Sequence, residues 1–164
     1  MEPLSYSVYD SPIGLLTIVV SPEGLLRLGL PLPDARPNLP EDLQGVPDSQ
    51  HNTLPIQTEL EEYFAGQRRE FSFPLDLRGT EFQMRCWHAL LEIPYGRTRT
   101  YADIARAVGC PRGFRAVGMA NHDNPIPIVV PCHRVIASDG TLGGYGGGLA
   151  MKRKLLELER GNNQ

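Results

Sequence analysis

Cys132, one of three cysteines in the chain, stands between a proline and a histidine at the end of the stretch NPIPIVVPCHRV, residues 124–135. A thiol attacks as its thiolate, and a nearby imidazole is the usual group that generates one. In IPIVVPC two prolines and four β-branched residues disfavour a helix, so the pattern predicts an extended segment ending at the thiol. Neighbouring side chains of an extended chain face opposite ways, and Cys132 and His133 are therefore expected to communicate through a water.

A histidine acting as a base needs an acid to orient it. The last helix-like stretch, LAMKRKLLELER, offers Glu157 and Glu159. At about 100° per residue, Glu159 falls roughly 40° from the apolar Leu155 and Glu157 about 160° away, so Glu159 borders the buried face. Lys154, Arg160 or His133 could each be its partner. Between the two stretches, GTLGGYGGGL (residues 140–149) holds six glycines around Tyr145. Such a loop lets backbone groups come close to a ligand, and without GxxxxGK[ST] it does not read as a phosphate loop.

These residues must be carried by a scaffold. LSYSVYD, GLLTIVV and GLLRLGL, punctuated by SPIG and SPEG, predict a small antiparallel meander. The proline-rich residues 31–50 predict a surface loop, TELEEYFAG (58–66) a short helix, and EFSFPLDL (70–77) an extended exit from the first lobe. Thr80 and Gln83 form a capping box for EFQMRCWHALLEI, whose Phe82, Cys86, Leu90 and Ile93 share a face, with Cys86 and Trp87 in the core. Thr100 and Asp103 cap TYADIARAV, Gly109 ends it, and Pro111 is placed to start the next helix. Two short helices across a Gly-Cys-Pro turn suggest a helix-turn-helix. In the second, Gly113, Ala116, Gly118 and Ala120 are small and Arg115 stands among them, which suits tight packing or entry into a groove of DNA.

Composition narrows the function. The chain has 164 residues, enough for one sizeable core or two small lobes. An odd set of scattered cysteines argues against a disulfide framework, and the spacing of Cys and His fits no structural zinc site. No leader pattern and no apolar run of membrane-spanning length is present, so a cytoplasmic protein without membrane association is expected. The net charge is −3, yet residues 1–84 carry −8, residues 85–134 carry +4 and residues 135–164 carry +1. Positive charge gathered in one segment is what a polyanion partner would require.

With IPYGRTRTYADIA, RAVGMANHDNPIPIVVPCHRVI, GYGGGLAMKRKLLELE and LDLRGTEFQ in view, residues 74 to 160 resemble the O6-alkylguanine-DNA alkyltransferases. The N-terminal part matches in outline, through SPIG and ELEEYFAG. The resemblance implies an α/β fold: a ribonuclease H-like α/β lobe over residues 1–76 and a helical lobe with a helix-turn-helix, carrying DNA binding and alkyl transfer, over 77–164. It implies that Cys132 takes the alkyl group, His133 is the water-linked base and Glu159 orients it. Tyr101 would hydrogen-bond the base and rotate the phosphate, and Asn124 would organise the active-site loop. Arg115 would fill the space left by the extruded nucleotide, with Phe114, Ala116 and Gly118 on the DNA-binding helix. Val135, Tyr145 and Gly146 would line the substrate pocket. The implied partner is double-stranded DNA bearing O6-alkylguanine and, less readily, O4-alkylthymine. The protein is expected to be a monomer, with clustering on DNA left open, and to need no cofactor or metal. Two residues depart from the family pattern: Phe114 replaces a small aliphatic residue, and Gly146 stands where some members have serine. The rivals are a lesion-binding relative lacking the cysteine, a cysteine hydrolase built on Cys132, His133 and Glu159, and a methylation-sensing transcription regulator.

Overall fold

Alternating patterns and tight turns fold the first thirty residues into an antiparallel sheet of β1 (Ser5–Ser11), β2 (Gly14–Ser21) and β3 (Gly24–Gly29), in that order. The computed structural model describes residues 4–39 and 50–162. The chain divides into two compact units, the first ending at Leu77 and the second beginning at Arg78.

In the first unit β2 is central and buried along most of its length. Helix α1 (Gln50–Phe64) packs on the sheet, and Ser7 Oγ of β1 donates to Thr53 Oγ1 of α1 at 2.7 Å. Val19 and Leu26 form an apolar cluster with Leu4 and Tyr6. Leu75 returns beside Leu25 in a parallel bridge, its segment held by the Leu25 amide on the Pro74 carbonyl. Two sequence expectations need correction. The helix begins at Gln50 rather than near residue 58 and carries Pro55 in its interior, where the missing donor costs a bond to the His51 carbonyl that packing of α1 on the sheet outweighs. Of the expected loop 31–50, residues 31–39 contain no helix or strand, and residues 40–49 lie outside the described residues.

The second unit is built on α2 (Glu81–Leu91), opened by the Thr80/Gln83 capping box. Cys86, Trp87 and Leu90 are buried, and the Trp87 indole N–H donates to the Ala120 carbonyl at 2.9 Å. This bond ties α2 to α4 (Phe114–His122). Between them a short strand β4 (Arg99–Thr100) leads into α3 (Tyr101–Ala107), where the Thr100/Asp103 capping box is also formed. Asp103 lies below the usual carboxylate range because it accepts from the Thr100 amide. Gly109, at φ 82°, leaves α3. Helix α4 starts at Phe114, not Pro111; the Gly113 amide turns back to the Cys110 carbonyl, so residues 111–113 form a turn. Strand β5 (Val135–Ile136) pairs in parallel with β4, and α5 (Leu149–Gly161) closes the unit. Among the described residues no helix is long and apolar enough to cross a membrane.

Candidate active site

The apolar run before Cys132 is not the extended segment its composition predicts. It coils as a buried plug: Ile126, Ile128 and Val130 are fully buried, the Val130 amide donates to the Ile126 carbonyl at 2.9 Å, and Ile128 is held at φ 75°. A positive φ is costly for a β-branched residue and persists only where the surroundings enforce it. Asn124 supplies that constraint. Its Nδ2 donates to the Val130 carbonyl at 2.8 Å, and its Oδ1 accepts from the Ile126 amide at 2.9 Å.

The plug delivers Cys132 to the first position of a 3₁₀ turn, Cys132–Arg134. About three residues complete such a turn, so consecutive side chains diverge. Cys132 lines a cavity, whereas His133 enters the interior. There His133 Nε2 lies 2.6 Å from Glu159 Oε2 of α5. Arg134 grips the same carboxylate through Nε to Oε1 at 2.8 Å and Nη2 to Oε2 at 3.0 Å, while its Nη1 donates to the Ile93 carbonyl at 2.7 Å. Burial alone would push Glu159 up, but hydrogen bonds and charge from His133 and Arg134 hold it well below the carboxylate range. Burial pushes His133 down, more strongly than Glu159 pulls it up, and Arg134 and Lys152 add to the depression. An ionised carboxylate only accepts, so a neutral His133 must carry its proton on Nε2. Nδ1 then holds a free lone pair, and it is buried with no hydrogen-bond partner in the protein.

The Cys132 thiol is pushed up by burial, against a hydrogen bond from the Asn124 side chain and the positive charge of Lys152. At rest it is a protonated thiol that needs a base. Lys152 is fully buried, and its ammonium donates to three carbonyls: Val135 at 2.6 Å, Leu142 at 2.5 Å and Gly144 at 3.0 Å. Burial lowers it to about 8, with the Cys132 sulfur raising it. Those bonds fasten the glycine-rich loop to the end of the cysteine turn. Gly143 sits at φ 73° so close to Tyr101 that a Cβ there would lie 2.7 Å from its hydroxyl. Burial raises Tyr101, which stays a phenol and a hydrogen-bond donor at neutral pH.

The cavity measures about 670 Å³. Tyr101, Phe114, Arg115, Gly118, Cys132, Tyr145 and Gly146 of the expected set line it. Asn124, His133 and Glu159 stand behind Cys132 rather than on the wall, and Ala116 is exposed on α4. Val135, expected in the pocket, does not line it: pairing of β5 with β4 turns its side chain fully into the core, and Ala137 and Ser138 take the wall instead. Sequence reasoning missed two residues: Arg134 and Lys152 entered it only through the segment charges and the quoted motifs. For Lys152 a signal existed, because it precedes the buried Leu155 and Leu156 by three and four residues on α5.

Residues 4–77 match the family model described as the ribonuclease-like domain of 6-O-methylguanine DNA methyltransferase, and residues 81–161 match its DNA binding domain. A methylated-DNA–protein-cysteine methyltransferase of Mycobacterium tuberculosis is 48% identical over 157 residues, covering 96% of this chain and 93% of the relative. One from Methanosarcina barkeri is 44% identical, with 96% and 98% covered. The solved structure of Mycobacterium tuberculosis OGT in complex with DNA matches with a TM-score of 0.86 at 46% identity, covering 96% of this chain and 94% of that one.

Proposed function

The chain belongs to the 6-O-methylguanine DNA methyltransferase family, and from that premise we propose that Cys132 is the nucleophile and final acceptor of the alkyl group. The protein repairs alkylated DNA by transfer of the alkyl group to its own cysteine. Its substrate is O6-alkylguanine in duplex DNA, with O4-alkylthymine a poorer one. The observation that carries the reading is a cysteine at the floor of a cavity, backed by a buried His133, Glu159 and Arg134 cluster.

The alkyl carbon of the lesion lies inside the base stack, so the nucleotide must be extruded, at a cost of a few kcal/mol that is least for a poorly paired base. Arg115, exposed on α4 at the cavity, fills the space it leaves. Phe114 and Met119, 53% and 60% exposed, offer apolar contacts to the groove on the same helix. With the base in the cavity, the Cys132 proton passes by way of a water to His133 Nδ1, and Glu159 stabilises the imidazolium that forms. The thiolate then attacks the alkyl carbon. The carbon–O6 bond breaks, its electron pair goes to the purine, and a hydrogen bond from Tyr101 to the ring assists the departure. The ring takes up a proton and the product is a thioether on Cys132. A thiolate is a poor leaving group from an unactivated thioether, so the bond persists and each molecule acts once. All of these residues lie in the second unit, which supports reading residues 77–164 as the DNA-binding and alkyl-transfer domain.

The test is mass spectrometry of the protein and its peptides after mixing with excess duplex containing one O6-methylguanine. A single added methyl on the Cys132 peptide, with the reaction stopping at one equivalent, is expected. Unmodified protein that still binds the duplex would make it a lesion sensor, and repeated turnover of a reporter ester would favour the hydrolase.

A further inference from the structure

Phe114 is the first residue of α4, and more than half of its surface is exposed on the helix that also carries Arg115. Cα–Cβ bonds of a helix tilt toward its N-terminus, so the ring of a first residue projects off the helix end. Gly113, which precedes it, has no side chain to shield that ring. The mounting is firm. The Gly113 amide donates to the Cys110 carbonyl at 2.7 Å, the Val117 amide donates to the Gly113 carbonyl at 2.9 Å, and Val117 is fully buried. One turn further along the same face an added Cβ at Gly118 would meet nothing within 4 Å. A surface that meets this face can come close at Gly118 and must then receive the Phe114 ring. Arg112 and Arg115, both exposed, flank Phe114 in the chain and suit that surface to a polyanion.

We infer that Phe114 is a wedge: its ring enters the base step beside the gap that Arg115 fills, parts that step and favours the extruded state. This role rests on the proposed reading of the cavity as the alkylguanine site, with α4 meeting the duplex. Phe114 and Arg115 both line that cavity, which puts the ring where the nucleotide leaves the stack. Their Cα atoms, about 3.8 Å apart, match the roughly 3.4 Å rise of the duplex, so neighbouring residues can serve neighbouring steps. A flat apolar ring lying in a groove keeps one face in water, whereas between two bases both faces are dry. An apolar side chain inserted there unstacks the pairs and kinks the duplex. Steps differ in how readily they part: pyrimidine–purine steps yield, and A-tracts are stiff. The wedge would thereby make the repair rate depend on a base pair that never enters the cavity.

The test measures single-turnover methyl transfer from duplexes that share O6-methylguanine and both of its immediate neighbours. They differ only in the step between the first and second neighbours, which is TA in one duplex and AA·TT in the other, with the change made on each side of the lesion in turn. On the wedged side the wild type should react about fivefold faster with the TA step. In Phe114→Ala, where an exposed side chain is shortened and the core is untouched, the ratio should fall to within about twofold, with the larger loss of rate on the TA duplex. Reaction of the variant with free O6-benzylguanine, which needs no unstacking, should stay within about twofold of the wild type. A wild type indifferent to the step on both sides, or a Phe114→Ala ratio equal to that of the wild type, would overturn the wedge. So would a parallel loss with free O6-benzylguanine, which would make Phe114 a wall of the cavity. Failure of the wild type to transfer methyl from any of the duplexes would instead overturn the reading of the cavity itself.

Discussion

His133 Nε2 and Glu159 Oε2 meet at 2.6 Å in the protein interior, and Arg134 holds the same carboxylate at 2.8 Å. Burial is the larger cause of the neutral His133, and the guanidinium adds to it by opposing the charge of Glu159. Without it, the charge of Glu159 would pull the proton affinity of His133 up with less opposition. In Arg134→Leu the proton affinity of His133 should therefore rise, and the acid limb of the pH profile for Cys132 alkylation should move to higher pH. Single-turnover rates between about pH 5 and 9 measure this. A profile that superposes on the wild type would remove Arg134 from the electrostatics of the relay.

The same cluster sets how stability responds to acid. His133 is depressed from an ordinary value of 6.5, so below that pH the unfolded chain binds a proton that the folded chain refuses. Glu159 is depressed from 4.5, and its contribution, full above that pH, is lost as pH falls through its folded value. Both effects run the same way, and stability should decline first below pH 6.5 and more steeply below 4.5. Urea denaturation over this range should show the earlier decline reduced in His133→Gln. Equal slopes above pH 4.5 in the two proteins would reject the assignment. Glu159→Gln, which leaves Arg134 buried without its anion, should cost about 3–5 kcal/mol and slow alkylation.

Lys152→Met tests the fastening of the glycine-rich loop. It leaves the carbonyls of Val135, Leu142 and Gly144 without their shared donor and removes a positive charge that favours the Cys132 thiolate. Hydrogen exchange should accelerate in residues 142–146. Modification of Cys132 by iodoacetamide should require higher pH than in the wild type. Unaltered exchange together with an unaltered pH dependence would reduce Lys152 to a core cation without influence on the site.

Much of this was legible in the sequence where local rules decide. Thr80 with Gln83, and Thr100 with Asp103, announce their helices because a capping box is satisfied within four residues. Helical periodicity alone placed Glu159 at the buried edge and Glu157 in solvent. Tertiary contacts decided the rest. The β-branched run at 126–130 has strand propensity, but Asn124 closes it into a plug by taking backbone groups that a sheet would otherwise pair. Arg134 is recognisable only once its acceptors from residues 93 and 159 surround it, and for Lys152 helical spacing signals burial while the carbonyls of residues 135, 142 and 144 decide its role.

Arg115 separates extrusion from chemistry. It is exposed on α4 at the mouth of the cavity, three residues from Gly118, where an added Cβ would meet nothing within 4 Å, so this face of the helix can approach a duplex closely. A free base such as O6-benzylguanine enters the cavity without unstacking, whereas a nucleotide in duplex DNA must first leave the stack and be replaced. Arg115→Ala should thus slow methyl transfer from duplex DNA by about tenfold or more while changing reaction with free O6-benzylguanine by no more than about twofold. Losing one cationic contact should also flatten the dependence of duplex affinity on salt. Parallel losses on both substrates would place Arg115 in the chemistry of the cavity, and equal salt slopes would mean it never meets a phosphate.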